Sequence, residues 1–271
     1  MEYNERRQGG VMRQTYTLSN IVDAHAQKRN FEKQFPLSRF VVRPLSFLSA
    51  YLLLKITRSP SRVAVAGLLV GLGGCLSFVM LGEWTPWPGV ALLLLYDLLD
   101  ASDGVVARTT GNVTYYGRFL DGVIGEIVEG VYCVSLGTGL YRAGEEAARI
   151  TILGGQTEAR IVMLAAGATI MCGRLYSSHV AGSYYHYLEK RAPAAEESVT
   201  QEIETSRYRR NWGYLTYVNL ASFDVQLAVL LLCAVLGALD LHLYLYALCY
   251  LLQSVLYTFF YVSRARTTLS R

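Results

Sequence analysis

Three aspartates near the middle of the chain, Asp100, Asp103 and Asp121, lie within or beside segments that are otherwise strongly apolar. An ionisable group in such a setting is costly unless it is paired or bound to a metal. Carboxylate oxygens are hard ligands that favour Mg²⁺, Mn²⁺ or Ca²⁺. The residue types therefore predict a cation site, and a cation held by carboxylates commonly serves chemistry on phosphates.

The spacing of these residues predicts that the aspartates meet. Residues 100, 103, 104 and 107 follow the i, i+3, i+4 and i+7 pattern and share one face of an α-helix. Asp121 belongs to the next helix, with a glycine one turn before it and another one turn after it. Antiparallel packing of the two helices would bring Asp121 opposite Asp100 and Asp103, near the inner membrane surface.

The elements that carry these residues are predicted to be membrane helices. The 271 residues are 52% hydrophobic, and their apolar residues come in runs of about 20, a length that suits a hydrocarbon core about 30 Å thick. The predicted fold is an all-α integral membrane protein with six transmembrane helices and an interfacial N-terminal helix. The predicted spans cover residues 62–82, 87–107, 117–139, 159–181, 214–237 and 241–262.

The N-terminal region is predicted to be cytosolic and interfacial. Residues 16–35 mix charged and apolar side chains and predict a surface helix capped near Ser19 or Asn20. Residues 38–57 are more apolar but contain Arg39, Arg43 and Pro44, which favours an interfacial helix whose arginines meet lipid phosphates over a full span. We therefore divide the chain into an N-terminal region, residues 1–60, and a six-helix membrane domain, residues 61–271, that carries the predicted site.

The charge pattern predicts an orientation and a class of partner. The net charge is +4, and no long basic tract or zinc-finger spacing supports a nucleic-acid partner, so membrane lipids and acidic substrates are the expected partners. Basic connections alternate with neutral ones, which puts both termini and the aspartates on the cytosolic side. The connection after the third span is ambiguous, because Arg142 and Arg149 are offset by Glu145 and Glu146. A homodimer is compatible with this layout.

The central block resembles the signature of the CDP-alcohol phosphotransferases, D-x2-D-G-x2-A-R-x8-G-x3-D-x3-D. Its register matches at Asp100, Asp103, Gly104, Ala107, Arg108, Gly117 and Asp121. The predicted six spans also fit that family, and TRSPSRVAVAGLLVGLGG is similar to a degenerate form of the start of its first span. The resemblance extends over most of residues 38–262, although only the central block is diagnostic.

The resemblance implies an activity and a set of roles. A membrane transferase of this family moves a phosphatidyl or substituted phosphoryl group from a CDP-linked donor to an acceptor alcohol in phospholipid synthesis, and releases CMP. The roles carried over are metal binding, with Mg²⁺ or Mn²⁺, for Asp100, Asp103 and Asp121, room for the cytidine for Gly104 and Ala107, and completion of the nucleotide pocket for Arg108 and Gly117. CDP-diacylglycerol is the favoured donor, and a small polar or phosphorylated alcohol is the expected acceptor.

One position departs from the signature, because Gly125 stands where the family has its fourth Asp. In the family that carboxylate is thought to help hold a second metal and to act as the general base. Glu129 is the better substitute, since it lies one turn on and only about 40° around the helix, whereas Glu126 is rotated by about 100°. We therefore name Asp121 and Glu129 as the catalytic residues.

Several alternatives stay open at this point. Glu129 or Glu126 could simply pair with Arg174, which could instead bind an acceptor phosphate or neutralise Asp224. Asp97, one turn before the first motif aspartate, could be a further ligand. The rival interpretation of the whole chain is a catalytically impaired family member that binds CDP-lipid or metal without turnover.

Overall fold

The computed structural model of the chain describes residues 16–25, 34–80, 85–144, 156–191 and 219–268. Within these ranges every regular element is a helix, and a turn of π-helix, Ser38–Val42, runs directly into the second α-helix. This part of the chain confirms the all-α prediction. The α-helices are α1 Leu18–Ala24, α2 Arg43–Ile56, α3 Pro60–Val79, α4 Trp87–Thr110, α5 Tyr115–Ala143, α6 Gln156–Arg191, α7 Phe223–Leu236 and α8 Leu239–Thr268.

Among the described residues, three helical segments are long and apolar enough to cross a membrane: α3, Arg160–Leu188 within α6, and α8. These segments indicate an integral membrane protein. Helices α4 and α5 occupy two further predicted spans, and their acidic residues lower the hydropathy of both helices. Helix α7 has 14 residues, fewer than the roughly 17 that a span needs. The six-span layout stays a prediction.

The structure corrects part of the prediction for the N-terminal region. Helix α1 covers Leu18–Ala24 only, and its N-cap is Thr17, whose side-chain oxygen accepts the backbone N–H of Asn20 at 3.3 Å. The predicted cap at Ser19 or Asn20 is therefore wrong, because a threonine hydroxyl already satisfies the first turn. Residues 26–33 of the predicted helix lie outside the described residues. Pro44 does not interrupt a helix, because it lies in the first turn of α2, where its missing N–H costs nothing.

The connection between the fourth and fifth predicted spans, residues 182–213, begins as a continuation of a helix. Helix α6 continues to Arg191, so the first part of that connection is helical. Its remainder, including Arg207, Arg209 and Arg210, lies outside the described residues, as do residues 214–218 of the fifth predicted span.

Small residues let the central helices pack closely. A Cβ added to Gly167 of α6 would lie 2.5 Å from the carbonyl oxygen of Cys133, and one added to Gly137 of α5 would lie 2.7 Å from that of Met163. Both distances are too short for a side chain, so α5 and α6 cross with their backbones nearly in contact, as small residues permit in membrane bundles. The main apolar core forms among α3 to α8, with Leu93, Val128 and Leu230 among its fully buried members.

A second, smaller cluster ties the N-terminal region to the bundle. Ile21 of α1 and Ala50 of α2 are fully buried against Val105 and Val106 near the C-terminal end of α4. This contact brings α1 beside the residues of α4 that follow the motif aspartates.

Candidate metal centre and its neighbours

The three motif aspartates meet between α4 and α5. Asp100, Asp103 and Asp121 each offer one carboxylate oxygen, and these oxygens all lie within 4.8 Å of one another. Asp103 is 7% exposed, Asp100 is half-buried and Asp121 is exposed. Two oxygens bound to one cation lie at most about 4.2 Å apart for Mg²⁺ and about 5.2 Å apart for Ca²⁺, so the 4.8 Å limit of the set is within the reach of Ca²⁺ and within about 0.6 Å of what Mg²⁺ needs.

The turn between α4 and α5 produces this convergence. Helix α4 ends at Gly111, whose φ of 69° is left-handed and suits glycine. The N–H of Asn112 then returns to the carbonyl of Ala107 at 2.9 Å. Helix α5 begins at Thr114, whose hydroxyl accepts the N–H of Gly117 at 3.0 Å. The two caps reverse the chain tightly enough for Asp121 to reach the face of α4 that carries the other aspartates.

Arg108 folds back over its own helix. A Cβ on Gly104 would lie 3.2 Å from Nη2 and 3.3 Å from Nη1 of Arg108. The bare surface of Gly104, expected to make room for cytidine, therefore accommodates this guanidinium. The Nε of Arg108 donates a hydrogen bond to Nδ1 of His25 at 3.1 Å. Ala107, the other predicted contact of the base, is half-buried beside it on α4.

The position of the missing fourth aspartate is approached by Glu129. A Cβ on Gly125 would lie 3.4 Å from Oε1 of Glu129, while Oε2 of the same carboxylate forms an ion pair with Arg174. Glu126 joins the group through its own ion pair with Nε of Arg174 at 2.9 Å. Glu129 thus forms the ion pair with Arg174 that the sequence left open, while its other oxygen lies near Gly125, and Arg174 is shared between two carboxylates.

Asp97 lies in a different contact from the three metal-ligand candidates. Its carboxyl lies within hydrogen-bonding range of Asp224 near the start of α7. Asp224 therefore meets another helix, as expected for a polar residue in a membrane span. Asp97 is not part of the three-oxygen cluster.

A polar cavity of about 390 Å³ opens beside the Arg174 group. Its lining includes Glu126, Arg174, Ser177, Ser222, Tyr250 and Gln253. Ser177 is 2% exposed, and its hydroxyl has no hydrogen-bond partner within the described part of the chain.

Tyr250 stands at the end of a buried hydrogen-bond chain. Its hydroxyl accepts Nε2 of Gln226 at 2.9 Å and Nη1 of Arg174 at 3.4 Å, while Oε1 of Gln226 accepts the hydroxyl of Tyr132 at 2.9 Å. The Tyr250 hydroxyl accepts twice here, so its own hydrogen remains to be donated. Our sequence analysis did not select Tyr250 or Gln226, although a glutamine within an apolar span was an available signal.

The sequence analysis also missed His25, because no motif or spacing in the surrounding residues indicates a functional role. It is 2% exposed although α1 looks like a surface helix. Only the packing of α1 against α4 brings it to Arg108.

Residues 59–184 match a family model described as CDP-alcohol phosphatidyltransferase. The matched part begins just before α3, ends within α6, and contains the aspartate cluster, Arg108 and the Arg174 group. No curated protein matches the chain.

Proposed function

We propose that this chain is a member of the CDP-alcohol phosphatidyltransferase family, whose model matches residues 59–184, and that it transfers a phosphatidyl group from CDP-diacylglycerol to an acceptor alcohol and releases CMP. The observation that carries the proposal is the convergence of the Asp100, Asp103 and Asp121 oxygens within 4.8 Å of one another. The family itself indicates phosphatidyl transfer in phospholipid synthesis. The choice of donor, the metal and the roles below are our proposals.

Asp100, Asp103 and Asp121 would hold a divalent cation, Mg²⁺ or Mn²⁺. Such a cation neutralises charge on the phosphoryl oxygens of the donor and on the departing CMP. The partial exposure of Asp121, beside the buried Asp103, leaves the cluster open on one side for the diphosphate. Arg108 and the backbone around Gly104 and Gly117 would border the nucleotide.

Glu129 is our proposed general base. In the transfer, the acceptor oxygen forms a bond to the phosphorus that carries the lipid, and the bond from that phosphorus to the bridging oxygen breaks, so that CMP leaves with the electron pair. The acceptor proton passes to Oε1 of Glu129, the oxygen beside Gly125. Arg174 holds the other oxygen in an ion pair, which fixes the orientation of the carboxylate.

The polar cavity would take the acceptor, and its charge favours an uncharged one. Arg174 is the one cation among the described lining residues, and Glu126 and Glu129 already balance its charge. One arginine and two glutamates leave this group with a net negative charge, which would repel a phosphorylated acceptor. The Ser177 hydroxyl and the unused hydrogen of Tyr250 instead suit the hydroxyl groups of a small polyol. Of the two acceptor classes that the sequence left open, a small polar alcohol and a phosphorylated one, we therefore prefer the uncharged alcohol.

One observation favours the rival function, a binding protein without turnover. Gly125 supplies no carboxylate at the position of the family's fourth Asp, and Glu129 is already engaged in an ion pair with Arg174. Under this alternative the aspartate cluster would still bind a cation and a CDP-lipid.

The test is CMP release by purified protein in detergent with CDP-diacylglycerol and a panel of acceptors. The panel pairs each uncharged polyol, such as glycerol or inositol, with its monophosphate. We expect CMP release that needs Mg²⁺ or Mn²⁺, stops with EDTA, and is at least about tenfold faster with the uncharged member of a pair, the factor that about 1.4 kcal/mol produces.

Asp103→Asn is the control for the site, and it should abolish release while the protein stays folded in detergent. Wild-type release no greater than that of Asp103→Asn with every acceptor would overturn the enzyme proposal, and CDP-diacylglycerol binding in the same sample would then support the binding protein. Faster turnover with the phosphorylated acceptors would overturn the acceptor class alone.

A further inference from the structure

His25 is a buried polar residue outside the part of the chain that matches the family. It lies just after α1 and is 2% exposed. Its ring packs edge-on against Phe47 of α2, with ring centroids 5.3 Å apart. A buried imidazole needs a hydrogen-bond partner, and His25 has one in Arg108, 83 residues further along the chain.

The apolar cluster beneath α1 holds this contact in place. Ile21 is fully buried one turn before His25, and it packs in the same cluster as Val105 and Val106 of α4. Arg108 follows Val105 by three residues, so both partners of the hydrogen bond come from helices fixed against one another. A further contact lies just before the N-terminal end of α1, where the guanidinium of Arg58 is 5.7 Å from the ring centre of Tyr16.

The hydrogen bond from Arg108 to His25 fixes the orientation of the Arg108 guanidinium. Its Nε–H is used by Nδ1 of His25 at 3.1 Å, and Nη1 and Nη2 lie above Gly104, directly after Asp103. To accept this bond, Nδ1 must be unprotonated, so the ring is neutral with its hydrogen on Nε2. His25 therefore holds Arg108 at Nε. The terminal nitrogens of Arg108 lie over Gly104, which directly follows Asp103 in the chain.

We propose that His25 is a positioning residue for Arg108, and that through it α1 forms part of the binding site for the CDP-linked donor. The inference rests on the proposed function, because it takes Arg108 to border the nucleotide. A free arginine has many rotamers and loses their entropy when it binds a ligand. An arginine already fixed at Nε loses less, so His25 strengthens binding of the donor without touching it.

The test is a set of His25 variants assayed for donor binding and turnover. His25→Leu keeps the bulk and removes the acceptor, and we expect it to raise the KM for the CDP-linked donor about tenfold, the scale of one hydrogen bond to a charged group, with kcat nearly unchanged. His25→Asn should recover most of the affinity, because its Oδ1 can stand near the position of Nδ1. Asp23→Ala, on the exposed side of α1, is the matched control and should behave as wild type.

The Arg108→Lys variant supplies a second test. It distinguishes positioning of Arg108 by His25 from a general contribution of His25 to the structure. Lysine has no Nε–H, so His25→Leu should cost nothing further in an Arg108→Lys background. Binding of CDP-diacylglycerol, measured by titration calorimetry in detergent, gives the same comparison without turnover.

The outcomes separate this inference from the proposed function. If wild type binds the donor and His25→Leu binds it equally well, or if the effects of His25→Leu and Arg108→Lys simply add, His25 does not position Arg108. A fall in kcat with unchanged donor KM would also overturn the proposal. If wild type binds no CDP-linked donor at all, the proposed function itself fails, and the positioning role fails with it.

Discussion

The acidic side chains at the site form two groups with different surroundings. The Asp100, Asp103 and Asp121 oxygens lie within 4.8 Å of one another, a spacing that suits an added metal ion. Glu126 and Glu129 instead share Arg174, which compensates one of their two charges within the protein. The first group is suited to hold a cation and the second to hold or move a proton. Gly125 lies one turn from each group on α5.

At the residue scale we predict that Glu129→Gln lowers kcat by about a hundredfold to ten-thousandfold, the usual contribution of a general base, and leaves donor binding intact. Glu126→Gln is the matched control, because Glu126 pairs with the same arginine but is rotated by about 100° from Gly125 around the helix. We expect a clearly smaller effect from it. CMP release and donor binding, measured side by side, check both.

The double variant Gly125→Asp with Glu129→Gln is a stricter test of Glu129 as the general base. It moves the carboxylate back to the family's position, into space that Glu129 now approaches at 3.4 Å. Part of the activity lost in Glu129→Gln should return. A Glu129→Gln protein with full activity would eliminate Glu129 as the base and direct attention to Asp121.

At the scale of elements, the site depends on how closely its helices approach. The tight turn between α4 and α5 joins the aspartates, and the crossing of α5 and α6 brings Arg174 to Glu126 and Glu129. Gly137 and Gly167 make that crossing possible, because any side chain there would meet a carbonyl oxygen of the other helix. The glycines of α5 and α6 are therefore needed for the Arg174 group as well as for packing.

We predict that Gly167→Ala lowers the free energy of unfolding by about 1–3 kcal/mol, since an overpacked contact must be relieved by moving backbone. Thermal unfolding in detergent measures the loss. Gly182→Ala, on the same helix with nothing within 4 Å of its added Cβ, is the matched control and should be neutral or stabilising by about 0.5–1 kcal/mol. Equal stability of the two variants would mean that the crossing is looser than described.

For the whole molecule, the surface shows which solvent the helices face. Large apolar side chains of α8, such as Leu248, Leu252 and Phe259, are more than half exposed, and only 11% of its most apolar window is buried inside the molecule. Exposure of that extent fits contact with lipid and is rare on a protein in water. Buried polar groups are correspondingly concentrated inside the bundle, around Gln226 and Tyr250.

We predict that the aspartate cluster faces the cytosol, because the basic connections alternate with neutral ones along the chain. Single cysteines at the two ends of α4, Asn112→Cys and Thr85→Cys, test this in a background without the five native cysteines. An impermeant maleimide should label Thr85→Cys in intact cells and Asn112→Cys only after permeabilisation. Labelling of both from the same side would contradict the orientation.

The sequence by itself determined the helical class, the meeting of the three motif aspartates and the family resemblance, because each depends on local periodicity or on fixed spacing within one helical hairpin. Asp100, Asp103 and Asp121 could be placed together from i, i+3 spacing and a short turn alone. The two contacts of Glu129 could not, since helical geometry gives its direction on α5 but not the arginine that α6 brings to it. Only the tertiary structure decided that Arg174 is shared by two glutamates, that a polar cavity lies beside it, and that His25 holds Arg108. These contacts join residues 45 to 83 positions apart, and no local pattern specifies which distant helices will pack together.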